Sequence, residues 1–280
     1  MLTTTVEKQM INLNELNHGY LSYSGLTTWQ DCPHKFKMKY VEKVKLNSDS
    51  IYNHYGKIMH SILEDYFEVG KTQKKFIAEA LEKWKIDYEA KWQDDFIDPK
   101  FHLKEKDKDI FYKQGIVTIK TKLPKLQKAI EKKFGKFAIV KKEQELTTPL
   151  YNCVNMMSKI DLIIHILKTD TYAVIDYKAV KDMSKWKRPP DVKFHQANIY
   201  EENVAQNKKE LEPKENLTSH FLIIPRVNPK EPMTFIDNNL PMVKTSNWVN
   251  NMVFGIEHEI FFTNRKSCFL CEYKNTEHCP

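Results

Sequence analysis

Between Tyr55 and Val69 the apolar residues recur at helical spacing. Ile58, Met59, Ile62, Leu63, Tyr66 and Phe67 make one stripe, which predicts an amphipathic helix. Upstream, SYSGLTTWQDCPHKFKMKY (22–40) predicts a helix capped by Ser22 or Ser24 and interrupted at Pro33. Residues 73–135 keep the helical texture and are rich in lysine, with a polar break at FIDPKFHLKEKDKD. After Gly135 the pattern changes to that of strands. FAIV, EQELTTPLY, KIDLIIHIL and YAVIDYKAV read as four β segments, the last two joined through a KTDT turn. A helix is predicted over Asp191 to Gln206 and a further strand over HFLIIPRV (220–227). A closing helix is predicted over Asn247 to Phe262, with Trp248, Met252, Ile256 and Ile260 along one side. Strands, then a helix, then a strand describe an α/β (mixed α+β) chain: a central mixed sheet flanked by helices. The chain sorts into a lead-in at 1–54, a helical region at 55–135, a sheet core at 136–245 and a closing segment at 246–280.

Composition narrows the function classes. No run of 18 apolar residues is present, so no transmembrane helix and no membrane partner are expected. The N-terminus MLTTTVEKQMINLNEL lacks a basic region followed by an apolar run. No secretory signal is expected, and the setting is a reducing, cytoplasmic one in which clustered cysteines hold metal more readily than they form disulfides. The chain has 7 glycines and neither GxxxxGK[ST] nor GxGxxG, which argues against nucleotide-driven motors and dinucleotide enzymes. A net charge of +7 favours an anionic partner as readily as it describes a lysine-rich solvated surface.

Candidate chemistry lies in two adjacent predicted strands. Asp161 opens DLIIHIL, and Asp176 lies two places before Lys178 in YAVIDYKAV. Positions i and i+2 of a strand share a face, so Asp176 and Lys178 project together, and a hairpin partner brings Asp161 beside them. A lone D-x-K is a short motif, and a surface ion pair would also produce it. Here an acidic residue interrupts an apolar strand twice in succession, which is costly unless the carboxylate is coordinated or paired. Two carboxylates and a lysine suit divalent-metal hydrolysis of a phosphodiester: hard oxygen ligands for Mg²⁺ or Mn²⁺, with the Tyr177 carbonyl as a further ligand and Lys178 on the water or the phosphate. Gln196 and Tyr200 sit at i and i+4 of the following helix, where Gln196 can orient the water and Tyr200 lies beside the nucleic-acid backbone. His60, paired at i+4 with Glu64, borders the apolar stripe of the 55–69 helix and is a further candidate metal ligand. KAVKDMSKWKRPPDVK follows the D-x-K strand. It offers Lys181, Lys185, Lys187 and Arg188 for phosphates, with Trp186 to stack on an unpaired base. The lysine-rich stretch KTKLPKLQKAIEKK (120–133) could line the same channel.

The order of these residues resembles the PD-(D/E)XK nuclease superfamily, in its RecB/AddB-like branch with an iron–sulfur cluster, which includes the CRISPR-associated spacer-acquisition exonuclease. The branch pattern is a helix histidine, G-x-x-D, [DE]-x-K and Q-x-x-x-Y. It maps onto His60, Ser158–Asp161, Asp176–Lys178 and Gln196–Tyr200, with Ser158 in place of the glycine and Asp176 where close relatives often have Glu. The branch motif S-x-L-x-x-[YWF]-x-x-C-P-x-[KR]-[FY] is similar to Ser24–Phe36 and marks Cys32 as one cluster ligand. The tail CFLCEYKNTEHCP then supplies Cys268, Cys271 and Cys279. The resemblance implies a restriction-endonuclease-like core with a helical insertion, and a [4Fe–4S] clasp joining the chain ends. Zinc is the alternative that the cysteine spacing leaves open. Cys153 is left as a buried or free thiol. The implied activity is a Mg²⁺- or Mn²⁺-dependent DNA exonuclease acting on single-stranded or end-containing duplex DNA, in recombination, repair or phage DNA processing, in a bacterial or phage-infected cell. A recombination or replication protein is the implied partner. An endonuclease of the same fold and a non-catalytic nucleic-acid-binding module are the rivals.

Overall fold

The computed structural model describes residues 11–13, 16, 19–45, 51–67, 72–92, 105–150, 154–181, 183–187, 189–207 and 216–279. In chain order its main elements are β1 (Leu21–Ser22), α1 (Tyr23–Asp31), α2 (Pro33–Phe36), α3 (Ile51–Glu64), α4 (Gln73–Ala90), α5 (Glu105–Thr121), α6 (Leu126–Phe134), β2 (Phe137–Leu150), β3 (Val154–Ile166), β4 (Thr171–Val180), α7 (Ser184–Lys187), α8 (Asp191–Gln206), β5 (Leu217–Pro225), β6 (Thr234–Asp237) and α9 (Met242–Glu257). The strands form one mixed sheet in the order β1-β3-β4-β5-β6, with β2 paired to β3 off that path. No described helix is long and apolar enough to cross a membrane.

The chain divides into two compact units. The larger comprises residues 47–146 and 158–240. Here β4 pairs antiparallel with β3 and parallel with β5, and β6 closes the edge antiparallel to β5. Alternation along these strands sorts their side chains. Leu162, Ile164, Ala173, Ile175, Tyr177, Leu222 and Ile224 point into a core built with α3 to α6. Ile163, Val174 and Phe221 face the other way, toward α7 and α8. Trp84 is at the centre of the helical core, its ring 5.1 Å from that of Tyr55 and 5.2 Å from that of Tyr88. Gly115 makes room for it: a Cβ there would stand 2.0 Å from the Trp84 ring.

The smaller unit comprises residues 1–46, 147–157 and 241–280. β1 pairs parallel with the start of β3, Leu21 against Met156. Ser22 caps α1 by accepting a hydrogen bond from the Gly25 N–H at 3.2 Å, and Pro33 opens α2 as the sequence pattern predicts. α1 packs on α9, where Gly255 lies against Trp29; a Cβ at Gly255 would be 2.2 Å from that ring.

Several boundaries differ from the sequence pattern. The 55–69 helix starts at Ile51, because Ile51 and Tyr55 extend its buried stripe upstream, and it ends at Glu64 before a 3₁₀ turn. FAIV and EQELTTPL belong to one strand, β2, with Glu143 at φ 46 opening the second half; Tyr151 lies outside the described residues. α5 begins at Glu105, inside the expected polar break. The closing helix runs over Met242–Glu257 rather than 247–262: Pro241 sits at its N-cap, and Glu259 turns to φ 53 just beyond its end. β6 had no strong strand pattern and is held by its ladder to β5.

Candidate active site

The antiparallel register places Leu162 opposite Ile175, and one further step along the ladder sets Asp161 opposite Asp176. Both are buried, at 7% and 4% exposure. They lie on the sheet face turned to α8. Lys178, two residues on, brings its Nζ 2.6 Å from Asp176 Oδ2. Each carboxylate has its own supports. Asp161 Oδ2 accepts the Tyr177 N–H at 2.6 Å, and Oδ1 lies 3.2 Å from His60 Nδ1 on α3. Asp176 Oδ1 accepts a 3.4 Å hydrogen bond from Gln196 Nε2, which also donates to the Tyr200 hydroxyl at 2.8 Å.

These surroundings push the two acids apart. Burial opposes the charge of Asp161, but His60, Lys178 and the Tyr177 N–H outweigh it and hold the carboxyl below its ordinary pKa. At Asp176 burial dominates and, with Asp161 opposite, exceeds the help of Lys178, so its pKa is pushed up to about 6. Burial lowers the pKa of His60, but the two carboxylates raise it by more. Asp176 Oδ2 remains buried with no aligned hydrogen-bond donor, since the close Lys178 ammonium is out of line with it. A divalent cation would satisfy such an oxygen.

Beside these residues opens a cavity of about 500 Å³ lined by His60, Ser61, Glu64, Glu143, Lys159 and Asp161 among others. Glu143 was not singled out in the sequence. Its carboxylate, with His60 and Asp161, offers ligand atoms all within 4.8 Å of one another, a spacing that one cation can bridge. Its backbone is left-handed at φ 46 in the middle of a strand, a conformation that costs a non-glycine residue free energy and re-aims its side chain. Burial raises its pKa, against the 2.7 Å ion pair with Lys159. Within EQEL it reads as an ordinary strand residue, and only the bulge gives it away. Lys193 was also missed. It lies in the first turn of α8, where burial and the nearby Lys178 lower its pKa and Asp176 opposes them.

Two expectations are corrected. Trp186 is a core residue: it is 6% exposed, edge-on to Phe221 at 5.4 Å, and it carries the Lys193 ammonium 4.9 Å over its ring. An aromatic among lysines resembles a stacking platform for a base, but this ring is a seat for a lysine. Tyr200 is also buried, and its hydroxyl holds Gln196 instead of meeting a backbone. Tyr177 reaches the site through its backbone N–H, while its side chain joins the helical core. Lys181 and Lys185 are exposed. Arg188, the side chain of Lys187 and Cys153 lie outside the described residues.

In the smaller unit Cys32, Cys268, Cys271 and Cys279 are free thiols. The Cys279 thiol is pushed up by burial and by Cys268 and Cys32; that of Cys271 is pushed up by burial, with Cys268 adding to it. The Asn264 N–H points at Cys32 Sγ (3.5 Å), and Cys268 Sγ lies 3.7 Å from the Asn264 carbonyl. The Cys-Pro segment and the tail are joined by the Lys35–Glu272 ion pair at 2.6 Å and by His34 Nε2, 2.9 Å from the His278 carbonyl.

A family model described as the PD-(D/E)XK nuclease superfamily matches residues 20–279. No curated protein matches the chain. Among 18 matching chains of solved structures is the crystal structure of SSO0001, at 12% identity and a TM-score of 0.30, covering 71% of this chain and 84% of that one.

Proposed function

Because this chain belongs to the PD-(D/E)XK nuclease superfamily, and is therefore a metal-dependent nuclease with DNA as its implied substrate, we propose that it is an exonuclease of the RecB/AddB-like branch, acting at DNA ends in recombination or repair. The observation that carries the reading is the buried cross-strand pair Asp161–Asp176 with Lys178 on the face of Asp176. Asp161, Asp176 and His60 would hold Mg²⁺ or Mn²⁺, with the Tyr177 carbonyl completing the set; two buried carboxylates on neighbouring strands fit such an ion. The ion, when bound, acidifies a water and neutralises charge on the phosphate in flight. Lys178 orients that water or the scissile phosphate. Gln196, steadied by Tyr200, fixes the Asp176 carboxylate, and Lys193 beside them offers a second cation to the phosphate.

Cys32, Cys268, Cys271 and Cys279 would hold a [4Fe–4S] cluster as a structural cross-link of the smaller unit, and the approach of both the Cys32 and Cys268 thiols to Asn264 supports this. The absorbance of anaerobically purified protein tests it: a broad band near 400 nm that vanishes in Cys32→Ala is expected, whereas a colourless protein with stoichiometric zinc would overturn the cluster.

Cleavage of 5′- and 3′-labelled linear DNA against closed-circular DNA, with Mg²⁺ or Mn²⁺, tests the activity. Linear DNA should be degraded and circles spared. Lys178→Ala should lose about 10² to 10⁴ in rate while retaining its fold. A folded Lys178→Ala at wild-type rate sinks the site, and rapid cutting of circles replaces the exonuclease with an endonuclease.

A further inference from the structure

In the larger unit a second cavity, of about 520 Å³, opens between the 122–132 segment and residues 229–233. Five lysines line it, Lys122, Lys125, Lys128, Lys132 and Lys230, against the single acid Glu231. Lys122 is 3% exposed, and its ammonium donates to the carbonyls of Asn228 and Pro229, each at 3.0 Å, and of Glu231. All three of its protons are satisfied, yet every acceptor is neutral. Its hydrogen bonds are complete, and Glu231 is the one acid in the cavity wall set against its charge and those of four further lysines. The rim adds to that charge. Among the described residues, the side chains of Lys125, Lys128, Lys132 and Lys230 form no ion pair with a carboxylate.

The helix beneath points the same way. α6 begins at Leu126, with Lys125 at its N-cap, Lys128 in its first turn and no acidic residue in that turn. A helix start carries a partial positive charge and normally recruits Asp or Glu. Here lysines stand in those places. A buried ammonium, the positive end of a helix and four rim lysines all converge on one cavity, whose walls are otherwise the single acid Glu231 with Ala129, Pro229, Pro232 and Met233. Lys122 also fixes the far wall, since it pins residues 228–231 by three carbonyls. The missing component is an anion.

We propose that this cavity is a secondary binding site for the phosphate backbone of the DNA substrate, separate from the carboxylate site and holding a stretch of the strand that is not being cut. The proposal rests on the nuclease reading. Lysines at the rim meet successive phosphates as point charges, and the apolar wall receives sugars and base edges. Affinity for long DNA then depends on the cavity, whereas the chemical step does not.

The test uses the full-length protein and a variant carrying Lys125→Gln, Lys128→Gln and Lys132→Gln, leaving the structural Lys122 in place. A control, Lys74→Gln with Lys85→Gln and Lys113→Gln, removes the same charge elsewhere. Binding of a fluorescein-labelled oligonucleotide is followed by anisotropy in EDTA over a range of NaCl. The plot of log affinity against log salt should flatten by about 2 to 3 in slope in the cavity variant and by much less in the control. In Mg²⁺ the cavity variant should show KM raised about tenfold or more with kcat unchanged. An unchanged slope, or an equal loss in the control, overturns the cavity while leaving the nuclease standing. Wild-type protein that neither binds nor cleaves the oligonucleotide overturns the nuclease reading and the cavity with it.

Discussion

The two units of this chain set different chemical groups beside their apolar interiors. The larger is organised around a continuous apolar core, from Tyr55 and Trp84 through the inner face of β3, β4 and β5. The smaller buries Leu26, Phe36, Met156, Val249 and Ile256, and its tail adds a small cluster of Met38, Cys271 and Tyr273, flanked by Val44 and Cys279. The larger core carries buried carboxylates, which cost stability. In the smaller unit the tail depends, in the reading proposed above, on what its thiols would bind. Each half of that contrast can be tested by breaking it.

The largest effect should come from the thiols. Cys279→Ala should lower the hydrogen-exchange protection of the smaller unit by about a hundredfold or more, while β4 and β5 keep theirs. Equal loss in both units would erase the contrast. Next comes one lesion placed twice. Gly115→Ala forces a methyl into the fully buried Trp84 and should cost about 2 to 3 kcal/mol. Gly255→Ala meets Trp29, which is less deeply buried than Trp84, and should cost less, about 1 kcal/mol. Chemical denaturation of both variants checks the order, and a costlier Gly255→Ala would reverse the ranking of the two interiors.

The carboxylate pair should show its cost through pH. Asp176 has a pKa of about 6 in the fold, against about 3.9 for an ordinary aspartate. Between these values the native state holds a proton that the unfolded chain has released. Stability of the metal-free protein should therefore fall as pH rises from about 4 to 6, and stay lowered above that. Asp176→Asn should remove that slope and, at pH 7, gain on the order of 2 kcal/mol in melts with EDTA, while cleavage is lost. A variant that melts lower than wild type at pH 7 would contradict the strain assigned to the pair. The smallest effect belongs to Tyr200→Phe, which frees Gln196 from one hydrogen bond. It should lower kcat about fivefold with little change in melting temperature. An equal fall in stability would make Tyr200 a core residue alone.

Much of this was legible in the chain because strand alternation and helix spacing are local rules. Asp176 and Lys178 share a face by period two, Gln196 and Tyr200 by period four, and the structure brings both pairs to one place with Asp161 and His60. What escaped depended on non-local facts. Glu143 required a left-handed residue in mid-strand, which EQEL does not announce. Trp186 was misread because burial is decided by its neighbour Phe221, 35 positions on by number, and not by the lysines beside it. Lys122 was legible only as one lysine of the 120–133 stretch, since its acceptors lie over a hundred residues downstream.

The hairpin register has a consequence in time. Asp161 meets the backbone of Tyr177 across only 16 positions, whereas His60 reaches Asp161 across 101. Hairpins close in about microseconds, and distant contacts form later because a longer loop must be ordered first. As the chain folds, the two acids are therefore set side by side before their histidine arrives. For that interval their like charges repel each other, so the earliest step in assembling this nuclease should run faster in mild acid than at neutral pH.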